Sequence, residues 1–266
     1  MSVIRVSNVT KEYKLYGSQN ARFKALFSDK VKYRPKVAVS NCSFEIEKGE
    51  KVAIIGLNGA GKTTLLKMLM GTVFPTKGEI EVEGRITPVI GNSIGFDQNF
   101  TARENINYRA SLLGLDKEET EKFAEGVTEF AELGEYVDQP LRTFSVAMKS
   151  KLSYAMSVML DVDILMMDET VSAGDGDFKK KCLTHLKEML SDENLTFIYA
   201  THMPRVAKKY CTRGIVMKKG EIVFDGPILD AVEFYMSTTS KKEMGQPDII
   251  EMDDLQAEDE DFDEEV

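Results

Sequence analysis

Four residues early in the chain have the types and spacing to hold a phosphate. Gly56, Gly61, Lys62 and Thr63 fit G-x-x-x-x-G-K-[ST] within the stretch IIGLNGAGKTTLLKMLM. Without a Cβ, the glycines let the backbone curl so that successive N–H groups point into one hollow, and a following helix adds its positive N-terminal end. Lys62 supplies a point charge for β- and γ-phosphates, and the Thr63 hydroxyl can ligate Mg²⁺. A second set lies far along the chain. Asp168-Glu169 closes the apolar run Ile164-Leu165-Met166-Met167. An acid at such a place is the other half of a Mg–nucleotide site: Asp168 would hold the metal directly or through water, and Glu169 would polarise the attacking water. A carboxylate near its ordinary pKa is a weak base, so Glu169 would act more by position than by proton affinity. His202 follows another apolar run, where it can touch the γ-phosphate side. The plainer readings are a Gly-rich turn before an ordinary helix, and acids that cap a helix or line a solvated turn.

The elements that must place these residues follow from periodicity. Lys51 to Ile55 is short, apolar and β-branched, and reads as a buried strand; from Thr64 onward Leu65, Leu66, Leu69 and Met70 share one helical face. Residues 2–16 and 37–47 read as strands before it, and 78–82 and 86–90 as strands after the first helix. From Thr101 to about Leu160 the pattern turns helical. Thr101 can cap one helix, Asp116 with Glu119 makes a capping box for a second, and 146–160 is a third. Strands and helices then alternate: 164–167, a helix over 178–190, a strand over 196–200, Pro204 in the first turn of a helix, strands over 214–217 and 221–224, and a helix over 227–236. That alternation predicts a parallel sheet, in which ligands bind at the carboxyl ends of strands. The phosphate loop, Asp168-Glu169 and His202 each fall at such an end.

Composition narrows the setting. The 266 residues, 42% hydrophobic, can build a sizeable core. There is no apolar run of transmembrane length and no signal-peptide core at the N-terminus, so a cytosolic chain is expected, with any membrane role needing a partner. Cys42, Cys182 and Cys211 have no metal or redox spacing and are expected to be small core residues. The net charge is −10, yet 11 acids and no Lys or Arg lie between Asp248 and Glu265; without those 11 charges the body stands at +1. Such a tail is expected to be disordered and solubilising, with an interaction role as the alternative. A nearly neutral body without a basic stripe also argues against nucleic acid. Residues 17–36 carry six Lys/Arg against one Asp, interleaved with Phe23, Leu26, Phe27 and Tyr33. A surface loop whose aromatics pack on the sheet is expected there. The alternative is an amphipathic element that touches a membrane or a membrane partner.

The order phosphate loop, helical insertion, Ser145 signature, Asp168-Glu169 and His202 resembles the nucleotide-binding subunits of ABC transporters, over about residues 2–236. The stretches GNSIGFDQNFTARENI, ETVSAGDGDFKKK and THMPRVAKKYCTRGIVMKKGEIVFDG are similar to the ATPases that export polysaccharides, O-antigen or teichoic acid. A basic insertion like 17–36 is also usual in that subgroup. The resemblance implies an α/β fold, a P-loop NTPase of the ABC ATPase type. It would have a mainly parallel core sheet, an N-terminal antiparallel β subdomain and an α-helical subdomain at about 101–160. This domain would fill residues 1–240, ahead of the tail at 241–266.

Position by position, the resemblance implies that Tyr13, or Tyr16 beside it, stacks on adenine. Gly56 opens the loop, and Asn58, Gly59, Ala60, Gly61, Lys62, Thr63 and Thr64 wrap the phosphates of ATP. Thr63 and Asp168 hold Mg²⁺, while Gln98, or Asp97 in its place, senses the metal and couples to the membrane subunit. Ala173-Gly174-Asp175 crosses a dimer interface, and Glu169, Lys62 and His202 carry the catalysis. Ser145 of one chain reaches the nucleotide of the other. Here the sequence departs from the family, whose signature is usually Ser-Gly-Gly or Ser-Ser-Gly: this chain reads Ser145-Val146-Ala147. The lost glycines would have let backbone approach phosphate without a Cβ. A looser or slower ATP sandwich is expected, or a need for a partner subunit with an intact signature. The implied function is the ATP-hydrolysing subunit of an exporter of lipid-linked polysaccharide, of teichoic acid, O-antigen or capsule type. It would work as a homodimer on a multi-span permease, at the cytoplasmic face of the cell membrane. The alternatives are the ATPase of another ABC exporter and a soluble ABC-type ATPase; the single nucleotide-binding unit and the lack of a long coiled-coil insertion weigh against the latter.

Overall fold

The computed structural model describes residues 1–28, 31–89, 95–160, 162–168 and 176–239. The chain begins with β1 (Ser2–Leu15), a short helix α1 (Gln19–Lys24) and β2 (Arg34–Glu47). Next, β3 (Lys51–Ile55) runs into the phosphate loop and α2 (Lys62–Leu69), followed by β4 (Lys77–Val82) and β5 (Ile86–Val89). The helices α3 (Ala102–Leu112), α4 (Lys117–Phe130) and α5 (Val146–Val158) form a block, with two 3-10 turns between α4 and α5. Then β6 (Ile164–Asp168), α6 (Gly176–Leu190), β7 (Thr196–Thr201) and α7 (Pro204–Tyr210) alternate. The hairpin β8 (Arg213–Lys218) and β9 (Glu221–Pro227) and the helix α8 (Ile228–Thr238) complete the described chain.

Two sheets result. β2-β1-β4 is antiparallel, and β5-β6-β7-β3-β8-β9 is parallel except for the β8–β9 pair. The expected mainly parallel core sheet, antiparallel N-terminal sheet and helical insertion are all present. β7 is buried along its whole length and β3 over all but its first residue, as strands covered on both faces must be. The antiparallel edge strand β9 instead alternates between exposed and half-buried positions.

Successive side chains of a strand point to opposite faces. Val52 and Ile54 therefore join a core with Leu65, Leu66 and Met166 on one face, while Ala53 and Ile55 join one with Leu165, Phe197 and Phe178 on the other. The helical block has its own core around Ile106, Val127, Leu141 and Leu152. Both predicted N-caps form as full capping boxes, Thr101 with Glu104 and Asp116 with Glu119. The three cysteines are buried and free. Burial pushes the Cys182 and Cys211 thiols up to about 12, so neither is a thiolate at neutral pH.

One expectation needs correction. The aromatics of 17–36 do not pack on the sheet: α1 buries no residue, and Phe23 and Phe27 are 63% and 79% exposed, touching each other edge-on with centroids 5.4 Å apart. Tyr33 is also exposed, at 41%, and touches Tyr16 and Lys14. The physical reason is that α1 spans just six residues, too short to lay an apolar face on a sheet. His185 of α6 is half-buried beside Phe130, with its Nδ1 3.7 Å from Glu188.

Candidate functional site

Parallel register assembles the site. Ile54 of β3 and Asp168 of β6 both lie opposite Ala200 of the strand between them, β7. The carboxyl ends of β3 and β6 are therefore level, and two strand spacings put them about 10 Å apart. Thr201 ends β7 opposite Ile55, so His202 emerges at the same edge. A one-residue slip would turn these side chains to the other face, and burial on both faces of the sheet forbids it.

The loop after β3 is held by backbone contacts that only glycine permits. Gly61 has φ +111°, and a Cβ there would meet the Ala38 carbonyl oxygen at 2.5 Å. A Cβ on Gly56 would meet the Met217 carbonyl oxygen at 2.5 Å. The Gly220 N–H donates to the Ala60 carbonyl at 2.8 Å, anchoring the loop to the β8–β9 turn. Asn58 and Gly59 stay exposed on the outer side, Ala60 is buried, and Thr64 is half-buried. α2 then starts at Lys62 with no side-chain cap, leaving its first N–H groups to an outside acceptor. Lys62 is buried, and its Nζ donates to the Gly56 carbonyl at 2.7 Å and the Leu57 carbonyl at 3.3 Å. The ammonium thus already bends back over the hollow.

Thr63 Oγ1 donates to Asp168 Oδ2 at 2.9 Å, bridging the two strand ends. A hydroxyl and a carboxylate oxygen at this separation are the hard donor pair that Mg²⁺ prefers. The chemistry of the set thus fits the expected metal. Glu169 and Ala173-Gly174-Asp175 lie outside the described residues.

The other predicted residues fall around this centre. Tyr13 pairs with Lys36 across β1–β2, two residues from the Ala38 carbonyl that touches Gly61. Its ring is half-buried with Lys11 Nζ 5.3 Å away, while Tyr16 is engaged by Tyr33. Asp97 and Gln98 separate clearly. Both are exposed, but Asp97 Oδ1 accepts from the Asn99 N–H at 2.9 Å and so serves its own turn. Ser145 is the exposed N-cap of α5, its Oγ accepting from the Met148 N–H at 3.1 Å. It sits on the helical block, and Val146 beside it is 78% exposed.

Sequence reasoning missed Asn105. It is buried in α3 and binds the backbone of the 97–101 loop on every side, donating to the carbonyls of Asp97 and Thr101 and accepting from the Asp97 N–H. This amide holds the turn that presents Gln98. The signal was an Asn on the apolar face of a helix, four residues after the cap.

Known proteins resemble this chain in sequence and in fold. A family model described as ABC transporter matches residues 39–172, half of the chain. The O-antigen export system ATP-binding protein RfbB of Klebsiella pneumoniae is 36% identical over 239 residues, which make up 88% of this chain and 97% of that protein. The chain belongs to the ABC transporter family. Another similar member is the teichoic acids export ATP-binding protein TagH of Bacillus cereus, 35% identical over 232 residues. There the match covers 87% of this chain and 42% of the relative, so this ABC cassette spans less than half that relative's length. The fold also matches the dimeric post-hydrolysis structure of the ATP-binding cassette MJ0796 bound to ADP and Pi. The TM-score is 0.66 at 22% identity, covering 85% of this chain and 98% of that one. At that identity the likeness speaks for the fold alone.

Proposed function

We propose that this chain is the ATP-hydrolysing subunit of an exporter of lipid-linked polysaccharide, of the teichoic acid, O-antigen or capsule type. The observation that carries the reading is the joining of Lys62, Thr63 and Asp168 at one sheet edge, behind a loop whose glycines leave backbone exposed to a phosphate. Its similarity to export subunits supports the cargo class.

In this reading the loop amides and the α2 N-terminus receive the β- and γ-phosphates. Lys62 exchanges its two carbonyl acceptors for phosphate oxygens. Tyr13 takes the adenine, since Tyr16 is occupied by Tyr33. Thr63 and Asp168 would hold Mg²⁺, which would supply charge neutralisation to the phosphates. Gln98 is the residue that senses the metal site, with Asn105 and Asp97 fixing its turn. Glu169 orients the attacking water and His202 contacts the γ-phosphate side. Ser145 reaches the nucleotide bound to a second copy of the chain, so two sites form head to tail and binding energy closes the dimer. A separate multi-span permease receives the motion through the loop at Gln98. No described helix is long and apolar enough to cross a membrane, so attachment at the cytoplasmic face would be through that permease. Residues 1–240 would form the cassette and 241–266 an acidic tail; the tail lies outside the described residues.

The test is Lys62→Ala. ATP affinity and hydrolysis should both fall by about 100-fold or more, as expected when preorganised charge at a transferring phosphoryl group is removed. Wild-type rates in that variant would end the reading. Co-purification of a multi-span membrane protein with the parent chain tests the exporter half.

A further inference from the structure

α4 ends in a turn where the Leu133 N–H donates to the Thr128 carbonyl at 3.2 Å and the Glu132 N–H to the Glu129 carbonyl at 3.1 Å. This double closure is the Schellman ending of a helix. The residue just past the cap has positive φ there, and glycine is the usual occupant. Here it is Glu132, at φ +56°. A side chain that strains the backbone persists where something beyond the turn holds it. The Glu132 carboxylate accepts from Lys181 Nζ at 3.0 Å and from Lys151 Nζ at 3.3 Å.

The two lysines belong to different helices. Lys151 lies on α5, six residues past Ser145, about 9 Å along the axis. Lys181 lies on α6, five residues past Gly176, where that helix emerges from the 169–175 segment. Aromatic packing closes the junction: Phe130 of α4 lies 5.9 Å from Tyr154 of α5 and 5.7 Å from Phe178 of α6. Lys181 also donates to the Phe130 carbonyl at 3.0 Å. Glu132 is about half exposed, so its ion pairs contribute little to global stability. Their effect is geometric.

We propose that Glu132 is a positioning residue for ATP turnover, tying the helix that presents Ser145 to the helix that follows the Asp168-Glu169 strand end. This rests on the ATPase reading above. A turn that only had to end α4 would be better served by glycine, so the carboxylate is accounted for by the lysines it joins. With α5 and α6 held as one body, Ser145 keeps a fixed relation to the helix that follows β6.

The test is Glu132→Gly, which relieves the backbone while removing the bridge. Expected are a Tm at or above that of the parent, a KM for ATP within about 2-fold, and a kcat lower by about 10-fold. An unchanged kcat overturns the proposal, and so does a kcat loss that simply follows a fall in Tm. Should Glu132→Gly fail to fold, Lys181→Gln decides in the same assays: a kcat loss at unchanged KM and Tm supports the bridge, and parental kcat refutes it. Lys62→Ala serves as the blank. A parent no faster than that blank overturns the ATPase reading, and this inference with it. A faster parent matched by Glu132→Gly overturns this inference alone.

Discussion

The phosphate loop and the Ser145 signature would face the same nucleotide from two chains, yet their backbones are constrained in opposite ways. The phosphate loop is locked from within. Gly56 and Gly61 stand where a Cβ would strike carbonyl oxygens of Met217 and Ala38, and Lys62 is buried beneath them. Any side chain at either position would disturb the fold before a ligand arrived. The signature is fixed only by the local cap of α5, in which Ser145 Oγ accepts from the Met148 N–H. Ser145, Val146 and Ala147 are exposed at the start of α5, and a valine there meets only solvent. Glycine is thus enforced by intrachain packing at Gly56 and Gly61, whereas at 146 and 147 the described chain leaves room for side chains.

The comparison can be broken at several points. The largest effect is expected for Glu169→Gln: turnover should fall by about 100-fold or more, the usual scale for losing a residue that activates water. With ATP present the variant should elute as a dimer on gel filtration. A persistent monomer would mean that the two halves do not meet across copies of this chain. Next is Gly61→Ala. Left-handed backbone costs an L-residue about 1–2 kcal/mol, and the Ala38 contact adds to it. ATP affinity by calorimetry should drop by about 10-fold or more, and parental affinity would show that the loop is not locked from within. The smallest effect is expected for the double change Val146→Gly and Ala147→Gly. Restoring close backbone approach should raise ATPase a few-fold with little change in Tm. Unaltered turnover would mean that the signature backbone does not limit the rate.

Much of the fold was legible because its signals are local. β3, β6 and β7 are short apolar runs, and Thr101 and Asp116 sit three residues before glutamates that complete their caps. The Lys62–Thr63–Asp168 centre was legible too, since a phosphate loop after a strand and an acid ending another strand imply a shared sheet edge. Residues 17–36 were misread because their composition suits either a loop on the sheet or a free amphipathic element; only α1, with no buried residue, separates the two. Asp97 and Gln98 were equivalent as residue types until the Asn99 N–H was seen to take the Asp97 carboxylate. Asn105 and Glu132 carry no motif. Their roles arise from groups they meet in space.

The amino-acid sequence by itself determined where strands and helices begin, and that the loop before Lys62 and the acid Asp168 lie at strand ends. Those are matters of residue type, backbone freedom and periodicity, all expressed within a few positions. Tertiary structure alone decided which partner each group finds: Lys62 over its own loop carbonyls, Thr63 against Asp168, Gln98 left exposed to solvent, and Glu132 between two helices. Thr63 and Asp168 are 105 residues apart, and contacts at such separation depend on sheet register and packing, which no local pattern encodes.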